Sequence, residues 1–257
     1  MARPSQNVAA SAEVVPLPEL PEVETVRRGL APHLDGCVIT DLVLNRPDLR
    51  FPFPPRLAER VRGRRVLTLA RRAKYLLVPL DSAETLILHL GMSGRMVVEK
   101  QGIADRTGAF HHDATRLTQH DHVVFQMEGG TRIIFNDPRR FGSLDLQPSG
   151  TLAEAPPLGS LGIEPLGNAL HASALAELLA GRRTPMKAAL LDQRLIAGLG
   201  NIYVCEALHR ARIAPTRAAG SVKKQELEAL VTAIRDVLSE AIEAGGSTLR
   251  DFRHEDG

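Results

Sequence analysis

Two textures follow each other along this chain, and their order limits the folds open to it. From Arg65 to Asn136 the sequence holds RVLTLARR, KYLLVPL, ETLILHL, DHVVFQM and TRIIFN, short β-branched runs with turn signals between them, the last two divided by Glu128-Gly129-Gly130. Strands this short and this close together predict an antiparallel sandwich or barrel, because parallel neighbours would each need a long crossover. CVITDLVLNRP (37–47) adds a partly alternating strand stopped by Pro47. From about residue 172 the period becomes helical, through ALAELLAGRR, PMKAALLDQRLI, NIYVCEALHRARI and KKQELEALVTAIRDVLSEAIEAGG, with Gly245-Gly246 ending the last run. The predicted class is α+β: an N-terminal β-sandwich domain over 18–147 with a first helix near 21–34, a Pro/Gly-rich linker over 148–167, and a helical domain over 168–257. Residues 1–17 read as a disordered extension, and 99–120, which lack a clean period, as a long loop.

Composition narrows the function classes. With 257 residues, 44% hydrophobic and 24% charged, the chain has the make-up of an ordinary soluble protein. The formal charge is only +2, yet residues 62–74 (RGRRVLTLARRAK) carry six cations and no acid, and Arg139-Arg140 and Arg182-Arg183 add more. Such clusters fit a polyanion partner or a plain solvated face about equally well. Cys37 and Cys205 are the only cysteines, which leaves no disulfide framework and no four-cysteine zinc site in this chain. No apolar stretch is long enough for a bilayer span, and the first 15 residues lack the apolar core of a secretory signal, so a cytoplasmic location is expected.

One acidic stretch, Pro16-Leu17-Pro18-Glu19-Leu20-Pro21-Glu22-Val23-Glu24, runs into the first helix. Pro21 suits a first helical turn, and Glu22 and Glu24 suit the positive end of a helix dipole. Neither rule gives Pro18-Glu19 a task. A proline at the start of a chain is a secondary amine able to form a Schiff base. An internal proline is an amide and cannot.

PELPEVETVRRGL, with RRAKYLL (71–77), HLGMSG (89–94), NDPRRFG (136–142) and LGNIYVCEAL (199–208), resembles the formamidopyrimidine-DNA glycosylase family of bacterial base-excision repair enzymes, in that order from Pro18 to Gly257. PELP rather than PEGP is similar to the purine-directed branch. The resemblance implies a bifunctional glycosylase and abasic-site lyase for oxidised purines, acting as a monomer on double-stranded DNA with oxidised bases or abasic sites. It implies Pro18 as the nucleophile at C1′, Glu19 as the acid handling sugar protons during ring opening, and Lys74 as a phosphate contact that assists β-elimination. Without the motif, Lys74 would read as a solvated strand-end lysine. Met92, Arg139 and Phe141 are implied to fill the space left by a flipped base. His89, His120 and Asn201 resemble phosphate contacts, and Arg182 and Lys187 lie on the DNA side by the same analogy. Glu22, Ile202 and Tyr203 resemble lining of the lesion pocket, with a core role for Ile202 as the alternative. Gly198-Leu199-Gly200-Asn201 resembles the turn of a helix–two-turn–helix, whose glycines let backbone N–H groups approach a phosphate. His111, His112, His120 and His122 are not expected to form a metal centre.

Two departures qualify the resemblance. The family begins Met-Pro-Glu-Leu-Pro, whereas Leu17 precedes Pro18 here. Leucine codons can serve as starts read as Met, and 27 Arg against 5 Lys fits a GC-rich genome where such starts occur, so translation is expected to begin at position 17. At the other end the family continues into a zinc finger with paired CxxC motifs. This sequence stops at Gly257, so no zinc is expected in it, and weaker DNA binding and impaired δ-elimination follow. Oxidised-pyrimidine specificity is the alternative within the enzyme class; a non-catalytic or decayed DNA-binding protein is the alternative outside it.

Overall fold

A computed structural model describes residues 18–100, 103–106 and 119–246. Helix α1 (Leu20–Leu34) leads into β1 (Val38–Leu44), a short α2 (Leu57–Val61), then β2 (Arg64–Arg65), β3 (Ala70–Arg72), β4 (Tyr75–Pro79), β5 (Glu84–His89), β6 (Arg95–Lys100), β7 (Ile103–Arg106), β8 (Asp121–Met127), β9 (Arg132–Asn136) and β10 (Ser143–Pro148). The strands form two sheets, ordered β2-β1-β8-β9-β6-β7 and β10-β5-β4-β3, and every ladder within them is antiparallel. The core between the sheets is built from Leu76, Leu86 and Leu88 on one side and Met96, Val123, Phe125, Ile133 and Phe135 on the other. Val23, Val26, Leu30 and Leu34 fall on one stripe of α1 and enter the same core. At about 1.5–3 kcal/mol for each apolar side chain fully buried, that stripe fixes α1, and with it the Pro18-Glu19 entry, to the sandwich.

The run RVLTLARR is not one strand. Its first part pairs with β1 in the larger sheet, its last part pairs with β4 in the smaller, and between them Leu67 is 51% exposed. The chain changes sheets there, a tertiary event that local periodicity cannot report. The expected loop over 99–120 is corrected too. Glu99 and Lys100 belong to β6, and Ile103–Arg106 pairs with it from Val97↔Arg106 to Lys100↔Ile103 as the sheet edge. An edge strand is held by backbone hydrogen bonds and needs no apolar period. Residues 107–118 of that segment, with His111 and His112, lie outside the described residues, as do 1–17 and 247–257.

After two single-turn 3₁₀ segments (Ser149–Thr151 and Leu158–Ser160), the chain enters α3 (Ala172–Leu179), α4 (Met186–Leu191), α5 (Asn201–Arg210) and α6 (Lys224–Glu243). Leu227, Leu230, Ile234 and Leu238 recur at helical spacing on α6 and pack with Leu175, Met186, Val204 and Leu208 in a second core. α1 also contacts α6, so the N-terminal helix bridges the two cores. No described helix is long and apolar enough to cross a membrane.

Candidate active site and nucleic-acid interface

Glu19 occupies the N-cap of α1 but sends its side chain elsewhere. Its Oε1 accepts the Ile202 N–H at 3.0 Å, in the first turn of α5, where backbone donors have no helical partner. A Cβ on Gly200 would stand 2.2 Å from the Glu19 Cδ and 2.4 Å from Oε1, so only glycine admits the carboxyl. The Leu20 N–H donates to the Gly198 carbonyl at 3.1 Å, tying the same two segments again. Glu22 accepts from the Glu19 N–H at 2.9 Å and from the Tyr203 hydroxyl at 2.5 Å. Tyr203 therefore stands behind Glu22, 3% exposed, whereas Ile202 is 37% exposed beside it, outside the core.

The Glu19 carboxyl is 2% exposed, and its Oε2 has no hydrogen-bond partner among the described residues. Burial pushes its pKa above the usual carboxylate range and the Glu22 charge adds to this; the Ile202 N–H, Lys74 and the Gly200 N–H pull the other way. An orphaned oxygen on a buried carboxyl costs about 1–3 kcal/mol, and such a cost is characteristic of a group held ready for a ligand. Pro18, immediately before it, is buried.

Lys74 lies in the turn joining β3 to β4, with Ala73 at φ 52°. Burial lowers its pKa, opposed by the charges of Glu19 and Glu22, so the ammonium is close to both. The turn is clamped from the inter-domain linker by Glu164, which accepts from the Ala73 N–H (2.5 Å), Arg72 (2.7 Å) and Arg71 (3.2 Å). Arg71 also reaches Glu24 at 3.3 Å. His89 pairs across the sheet with Tyr75, ring centroids 4.7 Å apart. Burial, with the Lys74 and Arg50 charges, lowers His89 to about 4, so it is neutral at pH 7. Its Nδ1 accepts the Gly91 N–H at 3.0 Å, which leaves Nε2 carrying the proton as a donor.

Met92, half-buried, and the exposed Arg139 and Phe141 stand on two neighbouring turns. The Arg139 guanidinium lies 4.9 Å from the Phe141 ring centroid, and Phe141 is 42% exposed. Asp137, fully buried, joins the turns: one oxygen accepts from the Ser93 hydroxyl (2.5 Å), the other from the Gly142 N–H (2.8 Å). The Arg139 N–H returns to Ser93 Oγ at 3.1 Å. Gly91 makes the approach possible, since a Cβ there would stand 2.4 Å from the Gly142 nitrogen.

The structure thus brings together Pro18, Glu19, Glu22, Lys74, Ile202 and Tyr203, with His89 beside Lys74 and the Met92/Arg139/Phe141 turns next to His89. Asn201 is exposed at the start of α5, one residue from the Ile202 N–H that holds Glu19. His120 precedes β8, its carbonyl accepting the Asp137 N–H at 3.0 Å, which places it behind the Arg139 turn. Arg182 lies in the loop before α4 and Lys187 in the first turn of α4, and nothing in their described contacts joins them to Glu19. Sequence reasoning missed Glu164, Asp137 and Ser93. Asp137 and Ser93 sat inside quoted motifs; Glu164 had no local signal in its Pro/Gly-rich linker. Cys37 and Cys205 are both free, one in each domain, and no group of three or more His, Cys, Asp or Glu among the described residues could hold a metal. The family's four-cysteine zinc site therefore does not fit the described residues.

Residues 17–144 match the profile described as the formamidopyrimidine-DNA glycosylase N-terminal domain, and 161–253 match the formamidopyrimidine-DNA glycosylase H2TH domain. The chain is 59% identical over 241 residues to the formamidopyrimidine-DNA glycosylase of Cereibacter sphaeroides, covering 94% of this chain and 84% of that protein. It is similar to the crystal structure of the MutM (Fpg) protein of Thermus thermophilus, with a TM-score of 0.76 at 41% identity, covering 91% of this chain and 79% of that one. The Lactococcus lactis Fpg in complex with DNA containing an abasic site gives a TM-score of 0.79 at 30% identity, over 91% and 81% of the two chains. The chain belongs to the formamidopyrimidine-DNA glycosylase family.

Proposed function

We propose that the chain is a bifunctional DNA glycosylase and abasic-site lyase of base-excision repair, removing oxidised purines such as 8-oxoguanine and formamidopyrimidines from double-stranded DNA, and that it acts as a monomer. The observation that carries the proposal is the buried Glu19 carboxyl, with one oxygen on the Ile202 N–H and the other orphaned, next to Pro18 and near the Lys74 ammonium.

The chemistry follows from that arrangement. With the damaged nucleotide flipped out, the lone pair of a free Pro18 nitrogen attacks C1′, the glycosidic bond breaks, and the base leaves with its electron pair, taking up the proton that the Pro18 nitrogen gives up. Glu19 acts as the acid, burial favouring its protonated form, and gives its proton to the ring oxygen as the ring opens, leaving an iminium between Pro18 and C1′. The Glu19 carboxylate left by that step takes the C2′ proton, and the C2′–H electrons form the new double bond as the 3′ phosphate departs with its charge received by Lys74 and the Nε2–H of His89. Met92, Phe141 and Arg139 occupy the vacated stack. The first step needs Pro18 as a secondary amine, so we propose 18–147, 148–167 and 168–257 as the working domains and linker, with the active form beginning at Pro18. The N-terminal family match starting at residue 17 supports that start. The proposed location is the bacterial cytoplasm.

Excision from duplexes carrying 8-oxoguanine, a formamidopyrimidine or thymine glycol tests this. Faster release of the two purine lesions is expected; preferential release of thymine glycol would move the chain to oxidised pyrimidines, and binding without release of any base would make it a non-catalytic binder.

A further inference from the structure

Beside the Arg139/Phe141 turn lies a second arginine–aromatic pair that the mechanism above does not use. Phe51 is 59% exposed, the most exposed of the large apolar side chains described, and the Arg50 guanidinium lies 5.4 Å from its ring centroid. A lone exposed leucine would mean little, but an exposed aromatic ring beside another exposed aromatic ring at a polyanion interface is informative. The pair is held firmly. Leu49, 7% exposed, anchors the loop in the sandwich core. Asp48 bridges Pro52, the Leu49 N–H donates to the Phe51 carbonyl at 3.0 Å, and the Phe53 N–H donates to the Pro47 carbonyl at 3.3 Å. The Arg50 N–H donates to the Gly142 carbonyl at 3.1 Å, which sets this loop directly against Phe141.

Charge singles out Arg50 as well. Its neighbour Arg46 is paired with Asp48, and Arg27, Arg28 and Arg71 all reach Glu24. Arg50 has no acidic partner among the described residues, and its charge is felt by both His89 and Tyr75. It therefore stands on the same face as the Lys74/His89 cluster, exposed and unneutralised.

We infer that Arg50 and Phe51 form an additional DNA-contacting pair, Arg50 neutralising one backbone phosphate and Phe51 serving as the platform that orients it and packs on the adjoining sugar. The inference rests on the DNA-repair reading above and adds to it a contact next to the wedge. One phosphate contact contributes about 0.9 to the slope of log affinity against log salt, and an exposed cation–π pair favours the oriented guanidinium by a few-fold.

The test is a salt titration of binding to a duplex with a tetrahydrofuran abasic analogue, using the protein and its R50A, R50K and F51A variants. R50A should lower the salt slope by about 0.9. R50K should keep the slope, and F51A should keep it while weakening binding about 2–5-fold. Matching thermal melts for all four proteins would exclude loss of fold as the cause. If the unaltered protein binds the duplex and R50A keeps its affinity and slope, this inference is overturned while the DNA-repair reading stands. If the unaltered protein does not bind, both fall. An unchanged R50A slope with loss of self-association in F51A would instead assign the loop to protein contacts.

Discussion

Gly200→Ala isolates the carboxyl at the centre of the site. Gly200 has φ −134° and ψ −166°, an extended conformation that alanine adopts without strain. The effect must therefore come from contact alone. The new Cβ would start 2.2 Å from the Glu19 Cδ, and an ordinary contact begins near 3.4 Å, so the carboxyl has to retreat by 3.4 − 2.2 = 1.2 Å. That displacement removes the 3.0 Å bond from the Ile202 N–H. Overpacking of this kind costs about 1–3 kcal/mol of stability, and a misplacement of about 1 Å at reacting groups costs about 10²-fold in rate. The assay is single-turnover borohydride trapping on abasic duplex, with DNA affinity measured in parallel. We expect trapping about 100-fold slower, with a much smaller change in affinity, because the phosphate-contacting side chains of Lys74, His89 and Asn201 all remain. Gly150→Ala, where a Cβ meets nothing within 4 Å, should change neither. A folded Gly200→Ala protein that traps at the unaltered rate would show that the Glu19–α5 contact does not position the acid.

Other consequences can be checked separately. Asp137→Asn keeps the size of the side chain but weakens acceptance from Ser93 and Gly142; we expect base flipping, followed by 2-aminopurine fluorescence, to slow while β-elimination at a preformed abasic site changes less, and equal slowing of both would contradict the latch. Glu164→Ala leaves the Ala73 N–H, Arg71 and Arg72 without their shared partner, and the partly exposed setting sets the expected loss at about 1–3 kcal/mol by urea unfolding; a loss below about 0.5 kcal/mol would place it with ordinary surface pairs. His89, lowered to about 4, remains neutral in the fold while it protonates in the unfolded chain. Because the unfolded state then binds more protons, its contribution is intact above about pH 6.5 and is lost as pH falls toward 4, about 1–2 kcal/mol by pH 5. His89→Gln should remove that portion of the acid sensitivity, and an unchanged pH dependence would contradict a buried neutral imidazole.

The two-layer sandwich and the helical half were legible because each depends on local period and turn chemistry. Val26 and Leu30 on α1, or Leu230 and Ile234 on α6, carry their burial in their spacing. The passage of 64–72 from one sheet to the other was not legible, since nothing in Val66-Leu67-Thr68-Leu69 says which partner each half will find. The edge strand at 103–106 escaped for a related reason: its stabilisation is in backbone pairing. In the candidate site, Glu19 and Lys74 stand out in the sequence only through a resemblance of motifs, and the forces acting on them come from far away in sequence. Gly200 and Ile202 lie more than 180 residues from Glu19, and Glu164 about 90 from Lys74. Such groups acquire meaning only when the two domains close on each other.

The proposed reaction requires Pro18 to act as an amine, and borohydride trapping on abasic-site duplex with intact-mass analysis of the adduct tests that directly. Protein from its native source, and protein produced with Met in place of Leu17 as its first residue, should each give an adduct whose polypeptide begins at Pro18. An adduct carried by a chain that still has residues before Pro18 would mean that another amine attacks C1′, and the central assignment would be wrong.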